Sequence, residues 1–159
     1  MNRRTALMSM AFLGLVACAF PQVSFSQGSS LVGTWKLNIE KSKFTGTALR
    51  SQTNTYQQDG QNIKGTVQAV DAQGNATTQV LIHIYDGQPH PLTGNPNYDA
   101  RSYTRVDANT LVSASMKAGK LVQVATIVIS PDGKTFTTTS TGIQTNGFMG
   151  TNIQVYEKQ

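Results

Sequence analysis

Side chains able to move protons or hold an anion gather in one short stretch of this chain. From Asp86 to Asp99 it reads DGQPHPLTGNPNYD, and Arg101 follows two residues later. His90, four residues after Asp86, could share a proton with that carboxylate. Tyr98 and Arg101 are a phenol and a permanent cation, the pair suited to an anionic group. Nucleophilic catalysis would also need an activated nucleophile at a sharp turn, and none stands nearby. His83 lies within an apolar run and reads as a half-buried strand histidine rather than a ligand. No HExxH, GxSxG, GxGxxG or P-loop occurs, and His90 has no second histidine at metal-ligand spacing. The reading therefore assigns no catalytic residue, no metal ligand and no cofactor. It takes His90, Tyr98 and Arg101 as candidate ligand-binding residues, with a histidine-based barrel enzyme as the minor alternative.

Such residues need a scaffold, and this segment shows features of a shaped one. Pro89, Pro91 and Pro96 restrict it while Gly87 and Gly94 permit turns, so ordering it costs less than for a flexible loop of equal length. Long irregular segments in compact domains are uncommon and often functional. The expectation is a rim over a barrel mouth that presents His90 and Tyr98, with Arg101 pairing Asp99 or an anionic ligand group. The plainer reading is a rigid structural cap.

The scaffold is legible as β-structure. Short runs rich in Val, Ile, Thr and aromatics alternate with QDGQN (58–62), DAQGN (71–75), DAN (107–109), AGK (118–120) and SPDGK (130–134), each a hairpin turn by composition. Strands are expected near 31–38, 50–58, 62–70, 76–86, 101–106, 110–117, 120–130, 134–143 and 150–157. Short connections make neighbours antiparallel, and a flat meander of this length would expose two long edges. The fold class is therefore all-β, an antiparallel up-and-down barrel of about 8–10 strands.

Alternation separates the faces. In 76–86, Val80, Ile82 and Ile84 oppose Leu81, His83 and Tyr85; in 120–130, Val122, Val124 and Val128 oppose Leu121, Ala125, Ile127 and Ile129. Both strands are apolar on two sides, which predicts that a neighbouring element or partner covers the outer side. The run TFTTTSTGI (135–143) reads as a solvated outer face, with a polar cavity wall as the alternative.

The stretch GTWKLNIEKSKF (33–44) holds the only tryptophan, two residues after a glycine. NIEKSKF is expected to form a capped turn or short helix across the barrel mouth, with Phe44 as its anchor and Lys36, Lys41 and Lys43 as solvated charges. Together with YDGQPHPLTGNPNYD (85–99), RVDANT (105–110) and the terminal VYEKQ, it resembles a family of secreted bacterial proteins of uncharacterised role. The glycine-any-tryptophan opening is similar to that of lipocalin-like barrels of the calycin type. This resemblance implies that Gly33 and Trp35 close one end of a barrel and that a basic side chain of the last strand packs on the indole. Here that residue is Lys158, where lipocalins usually have arginine.

The N-terminus has the layout of an export signal: Arg3 and Arg4, an apolar run from Ala6 to Phe20, then Pro21. Cleavage after Ser26 would leave residues 27–159 as a single lipocalin-like domain, secreted or periplasmic. LVAC (15–18) also resembles a lipobox, which would make Cys18 the acylated N-terminus of an envelope-anchored protein. The remaining chain has no cysteine and no apolar run long enough to span a bilayer. Loss of Arg3 and Arg4 leaves eleven bases against eight acids, a mild excess of three. With the bases scattered, nucleic-acid binding is not expected. NAT (75–77) is a formal glycosylation sequon and reads here as a turn.

The expected role is non-catalytic binding of a small apolar or amphipathic molecule by a monomer, the alternative being a solid barrel that acts as a structural or interaction module. Intact-mass measurement of the exported protein should find Gln27 as the first residue; a diacylglycerol on Cys18 would instead establish the lipid anchor.

Overall fold

A computed structural model describes residues 30–143 and 147–159. The export signal, Cys18 and Gln27 lie outside the described residues. The chain is an up-and-down antiparallel meander of ten strands: β1 (Gly33–Lys43), β2 (Ser51–Asp59), β3 (Asn62–Val70), β4 (Ala76–His83), β5 (His90–Pro91), β6 (Ala100–Arg105), β7 (Thr110–Lys117), β8 (Lys120–Ile129), β9 (Thr135–Ile143) and β10 (Met149–Lys158). They form one sheet in the order β4-β3-β2-β1-β10-β9-β8-β7-β6-β5, so the first and last long strands pair through Leu37 and Tyr156. Among the described residues no helix is long and apolar enough to cross a membrane.

The sheet curls until its edges meet. β4 and β5 are joined through Val80 and Thr93, which exchange N–H···O bonds of 3.1 and 3.0 Å. On the other side of this segment, Gly87 donates to the Tyr103 carbonyl and Leu92 to that of Asp99, both at 3.0 Å. The stretch from Gly87 to Thr93 thus stands between β4 and β6 as the closing stave of the barrel. Gly94, at φ 79°, ends it where a Cβ would collide with the Thr78 carbonyl. Only glycine fits such an approach at positive φ.

Register sorts the faces. Trp35, Leu37, Tyr56, Ile63, Leu81, His83, Tyr103, Leu111, Ile127, Ile129, Phe136 and Tyr156 point inward and are buried. Most of these crowd the end where β1 begins. Trp35 is fully buried there, its indole Nε1 donating to the Leu31 carbonyl at 2.7 Å. Its ring meets Phe136 edge-on at 4.9 Å, and Phe136 stacks on Tyr156 at 4.5 Å. Lys158, opposite Trp35 in register, sets its Nζ 5.0 Å from the indole. Gly33 explains the motif: its φ is 134°, and a Cβ there would lie 2.7 Å from Lys158 Cε. A side chain at position 33 would push the lysine off the indole.

Two sequence expectations change. NIEKSKF forms neither a capped turn nor a helix; it continues β1 through a bulge. Register with β10 shifts between Asn38 and Lys43, where Ser42 Oγ donates to the Asn38 carbonyl and Asn38 Oδ1 accepts from the Lys41 N–H. Pairing with β10 keeps the segment extended because it supplies backbone partners that a lone turn of helix would lack. The outer face of β8 is also not covered by another described element, since Val124 and Val128 are exposed, whereas Val80 and Ile82 on the outer face of β4 are half-buried.

Trp35→Ala should cost about 3–5 kcal/mol in urea unfolding, the usual range for a buried large aromatic. Gly94→Ala should cost about 2 kcal/mol or more through its φ and the blocked approach to β4. Native indole fluorescence should be blue-shifted; a loss below about 1 kcal/mol for Trp35→Ala would show that the plug does not carry the fold.

Candidate functional site

The barrel interior changes character along its axis. Away from the Trp35 end, inward positions are taken by Ser113, Ser115 and Ser140, all buried, and by Gln52, Gln123 and Gln154, which keep partial exposure; the buried Asn54 stands opposite Trp35 itself. This half is small, polar and reached by solvent. Into it β6 projects Arg101, on the same face as the buried Tyr103.

Arg101 donates from Nε to Ser115 Oγ at 2.9 Å and makes a long contact from Nη1 to the Tyr103 hydroxyl at 3.4 Å. Its guanidinium lies over the Tyr98 ring, 4.6 Å from the centroid. Its charge is also felt by the phenols of Tyr56 and Tyr156. Burial pushes the hydroxyls of Tyr56, Tyr103 and Tyr156 above the ordinary phenol value, so these neighbours are neutral in the physiological range. All eight carboxylates of the chain are on described residues, and the ion pairs among the described residues are Lys41–Glu157 and His90–Asp86. Arg101 therefore sits inside the wall as a cation surrounded by hydroxyls and rings, without a counter-ion. It remains half-buried, so water still reaches it.

The expected pairing of Arg101 with Asp99 does not form. Asp99 Oδ2 accepts from the Ala118 N–H at 3.0 Å, capping the β7–β8 turn, while strand alternation sends Arg101 inward to Ser115. Of the candidate ligand residues, Tyr98 and Arg101 are in contact, and His90 stands opposite Arg101 in the β5–β6 register. The His90 Nε2 lies 2.9 and 3.0 Å from the two Asp86 oxygens. The Asp86 carboxyl is held below its ordinary value, first by the Gln88 N–H and then by His90. Tyr103, two residues from Arg101, was accessible to strand alternation; Ser115 and the tyrosines of β2 and β10 needed the register.

His83 is stacked on Tyr103 at 4.0 Å and 16°, edge-on to Tyr56 at 5.1 Å, and neither ring nitrogen has a hydrogen-bond partner among the described residues. Burial, with a smaller push from Arg101, lowers its pKa to about 3, so the ring is neutral. Among the described residues no three His, Cys, Asp or Glu side chains are grouped to hold a metal.

Two concavities lie outside the barrel. A cleft of about 440 Å³ opens where β1 and β2 part beyond the Lys36–Thr53 pair, between Asn38, Glu40, Arg50 and Glu157. A shallower one of about 260 Å³ lies on the outer wall, between Val112, Val124, Thr126 and Thr139. Neither touches Arg101 or Tyr98.

No protein-family model and no curated protein matches this sequence. Among solved structures, the chain is similar to zebrafish ileal bile acid-binding protein, which was crystallised with cholic acid: identity is 13%, the TM-score 0.51, and the match covers 82% of this chain and 100% of that one. At that identity the likeness shows a shared barrel fold.

The neutral His83 makes stability depend on pH. The unfolded imidazole binds a proton below about 6.5, while the folded one refuses it until about 3, so stability is lost as pH falls through that window. Comparing urea unfolding at pH 7 and pH 4, His83→Phe should lose less stability than the parent by a margin of order 1–3 kcal/mol. Carboxylates held low by turns, such as Asp71 and Asp132, weaken both proteins alike. An identical acid loss in the two would show that His83 is not the group responsible.

Proposed function

We propose that the protein binds a small amphipathic molecule with an anionic head, non-catalytically, in the polar half of its barrel. The observation that carries this reading is the Arg101 guanidinium, held inward by Ser115 and Tyr98 with no carboxylate to neutralise it. Taking a charge out of water is costly unless it is paired. A cation left half-buried among neutral phenols is a standing cost to the free fold that a ligand anion would offset. Planar guanidinium suits a carboxylate or sulfonate, which can accept two of its N–H groups at once.

The rest of the interior supports an amphipathic partner. Polar side chains line the half that solvent reaches, and the aromatic series from Tyr103 through His83, Tyr56 and Phe136 leads from the cation toward the Trp35 plug. Gln79 adds a buried Nε2 without a partner among the described residues, while its Oε1 accepts from Asn95 at 2.9 Å. The bile acid-binding neighbour, crystallised with cholic acid, is consistent with such a role for this kind of barrel.

A second reading has its own observation. The Trp35 half is filled by the protein's own side chains, and the two concavities described above are on the outside. On this reading the barrel is solid and works through its surface, as a module of the cell envelope.

Calorimetric titration with decanoate and with decanol separates the two. Decanoate should bind at least about tenfold more tightly, or 1.4 kcal/mol, and Arg101→Gln should abolish that preference. The same variant should be as stable as the parent or more so, because an unpaired half-buried charge has been removed. Equal or absent binding of both probes would discard the ligand reading in favour of the solid module.

A further inference from the structure

We infer that the outer wall centred on β7 and β8 is the contact face of a two-fold dimer, its occupant being a second copy of this chain. Register brings the outward positions of the two strands together: Met116 stands opposite Leu121, Ala114 opposite Val124 and Val112 opposite Thr126. Leu121 is 57% exposed, Val128 46%, Val124 44% and Val112 39%. Scattered apolar residues on a surface need no explanation, but a contiguous group framed by polar residues marks an interaction site. The frame is present here. On one side β9 sets Thr137, Thr139 and Thr141 beside Val128, Thr126 and Val124; on the other, β6 sets Thr104 and Ser102 beside Val112 and Ala114. The centre of the face dips into the shallow concavity bounded by Val112 and Val124.

Charge selects the occupant. Between the two ends of this wall no outward position of β6, β7, β8 or β9 is charged. Sideways, the first charges are Lys43 and the Lys41–Glu157 pair where β1 meets β10, and the His90–Asp86 pair beyond β6. Such a face gives a polyanion or an anionic membrane nothing to hold, and a second copy meets no like charge across it. The two ends are unlike. The β7–β8 turn end carries Lys117 and Lys120 with Asp99. The end at the β6–β7 and β8–β9 turns carries Asp107 and Asp132 with Lys134, while Arg105 is turned onto the Tyr85 ring. Both aspartates are held below the ordinary carboxylate value, first by the Asn109 N–H and the Ser130 hydroxyl respectively, so they are ionised. A two-fold axis lying in the interface and across the strands runs the two copies antiparallel. The lysine end of each then lies over the aspartate end of the other, and one isologous contact matches both ends at once.

A barrel wall is convex, so contact is confined to β7, β8 and their immediate neighbours. That places the interface in the class below about 1,200 Å² in total, where association is weak and reversible. The protein then passes between one copy and two with concentration, in place of the monomer expected from the sequence. The dimer does not depend on the ligand reading, since Arg101 and Tyr103 face inward from β6 and the contact uses the outside of the wall.

Analytical ultracentrifugation tests it, using protein purified after export with Cys18→Ser in every sample so that no acyl chain contributes. The parent's weight-average mass should rise with concentration from that of one copy toward that of two. Val124→Glu, which puts a charge at the centre of the face, should weaken association at least tenfold. Lys117→Glu with Lys120→Glu should do the same at low salt, and adding Asp107→Lys with Asp132→Lys to that chain should restore the dimer, because the ends then match again. Native fluorescence of the buried Trp35 verifies that each variant is folded. A parent that stays monomeric at every concentration, a folded Val124→Glu protein that associates as the parent does, or a folded four-change variant that stays dissociated would overturn the inference. So would a monomeric parent captured by phosphatidylglycerol vesicles and released by Val124→Glu, which would assign the wall to a lipid surface.

Discussion

A long antiparallel meander has two edges, and everything inside this protein depends on their being brought together. The join is narrow: Val80 and Thr93 exchange two hydrogen bonds, each worth about 0.5–1.5 kcal/mol net. It holds because the segment from Gly87 to Gly94 is anchored on both sides at once, to β4 through Val80 and to β6 through Tyr103 and Asp99. The Asn95–Gln79 bond and the absence of a Cβ at Gly94 let this stave approach β4 closely. Without closure, the aromatic series would lie on one face of an open sheet, and Arg101 would be an ordinary solvated cation.

Closure creates two unlike halves. At one end, Trp35, Phe136, Tyr156 and Ile129 fill the cross-section, and Lys158 lies on the indole in the space Gly33 leaves. At the other, serines and amides replace large side chains, and the packing no longer excludes water from every inward group. The cost of the second half is concentrated at Arg101, whose neighbours are neutral because burial keeps their phenols protonated. Local instability of this kind recurs at binding sites, where a ligand supplies what the free fold lacks.

The outside repeats the contrast. β9 turns Thr137, Thr139 and Thr141 outward while Phe136 and Ser140 face in, giving that wall a polar surface that supports strand pairing without attracting partners. The adjoining outer wall of β7 and β8 is apolar, with Val112, Val124 and Val128 exposed.

Alternation and turn chemistry are local, so the sequence determined most of the strands, their antiparallel order and most of the faces; Leu121, read as sharing a face with Ala125, Ile127 and Ile129, is exposed because the β7–β8 register shifts beside it. The buried set of Leu81, His83, Ile127 and Ile129 follows from a period of two, and the placing of Trp35 and Lys158 at one barrel end follows from their being in the first and last strands. What depends on a remote partner was not legible. NIEKSKF reads as a turn until β10 is set beside it. The proline-rich segment reads as a rim until β4 and β6 are seen to claim its backbone on either side. Asp99 looks like the partner of Arg101, two residues away, but β6 sends the guanidinium inward while the β7–β8 turn takes the carboxylate. Register between strands far apart in sequence decided those contacts, because hydrogen bonding across the sheet outweighs the preferences of a few neighbouring residues.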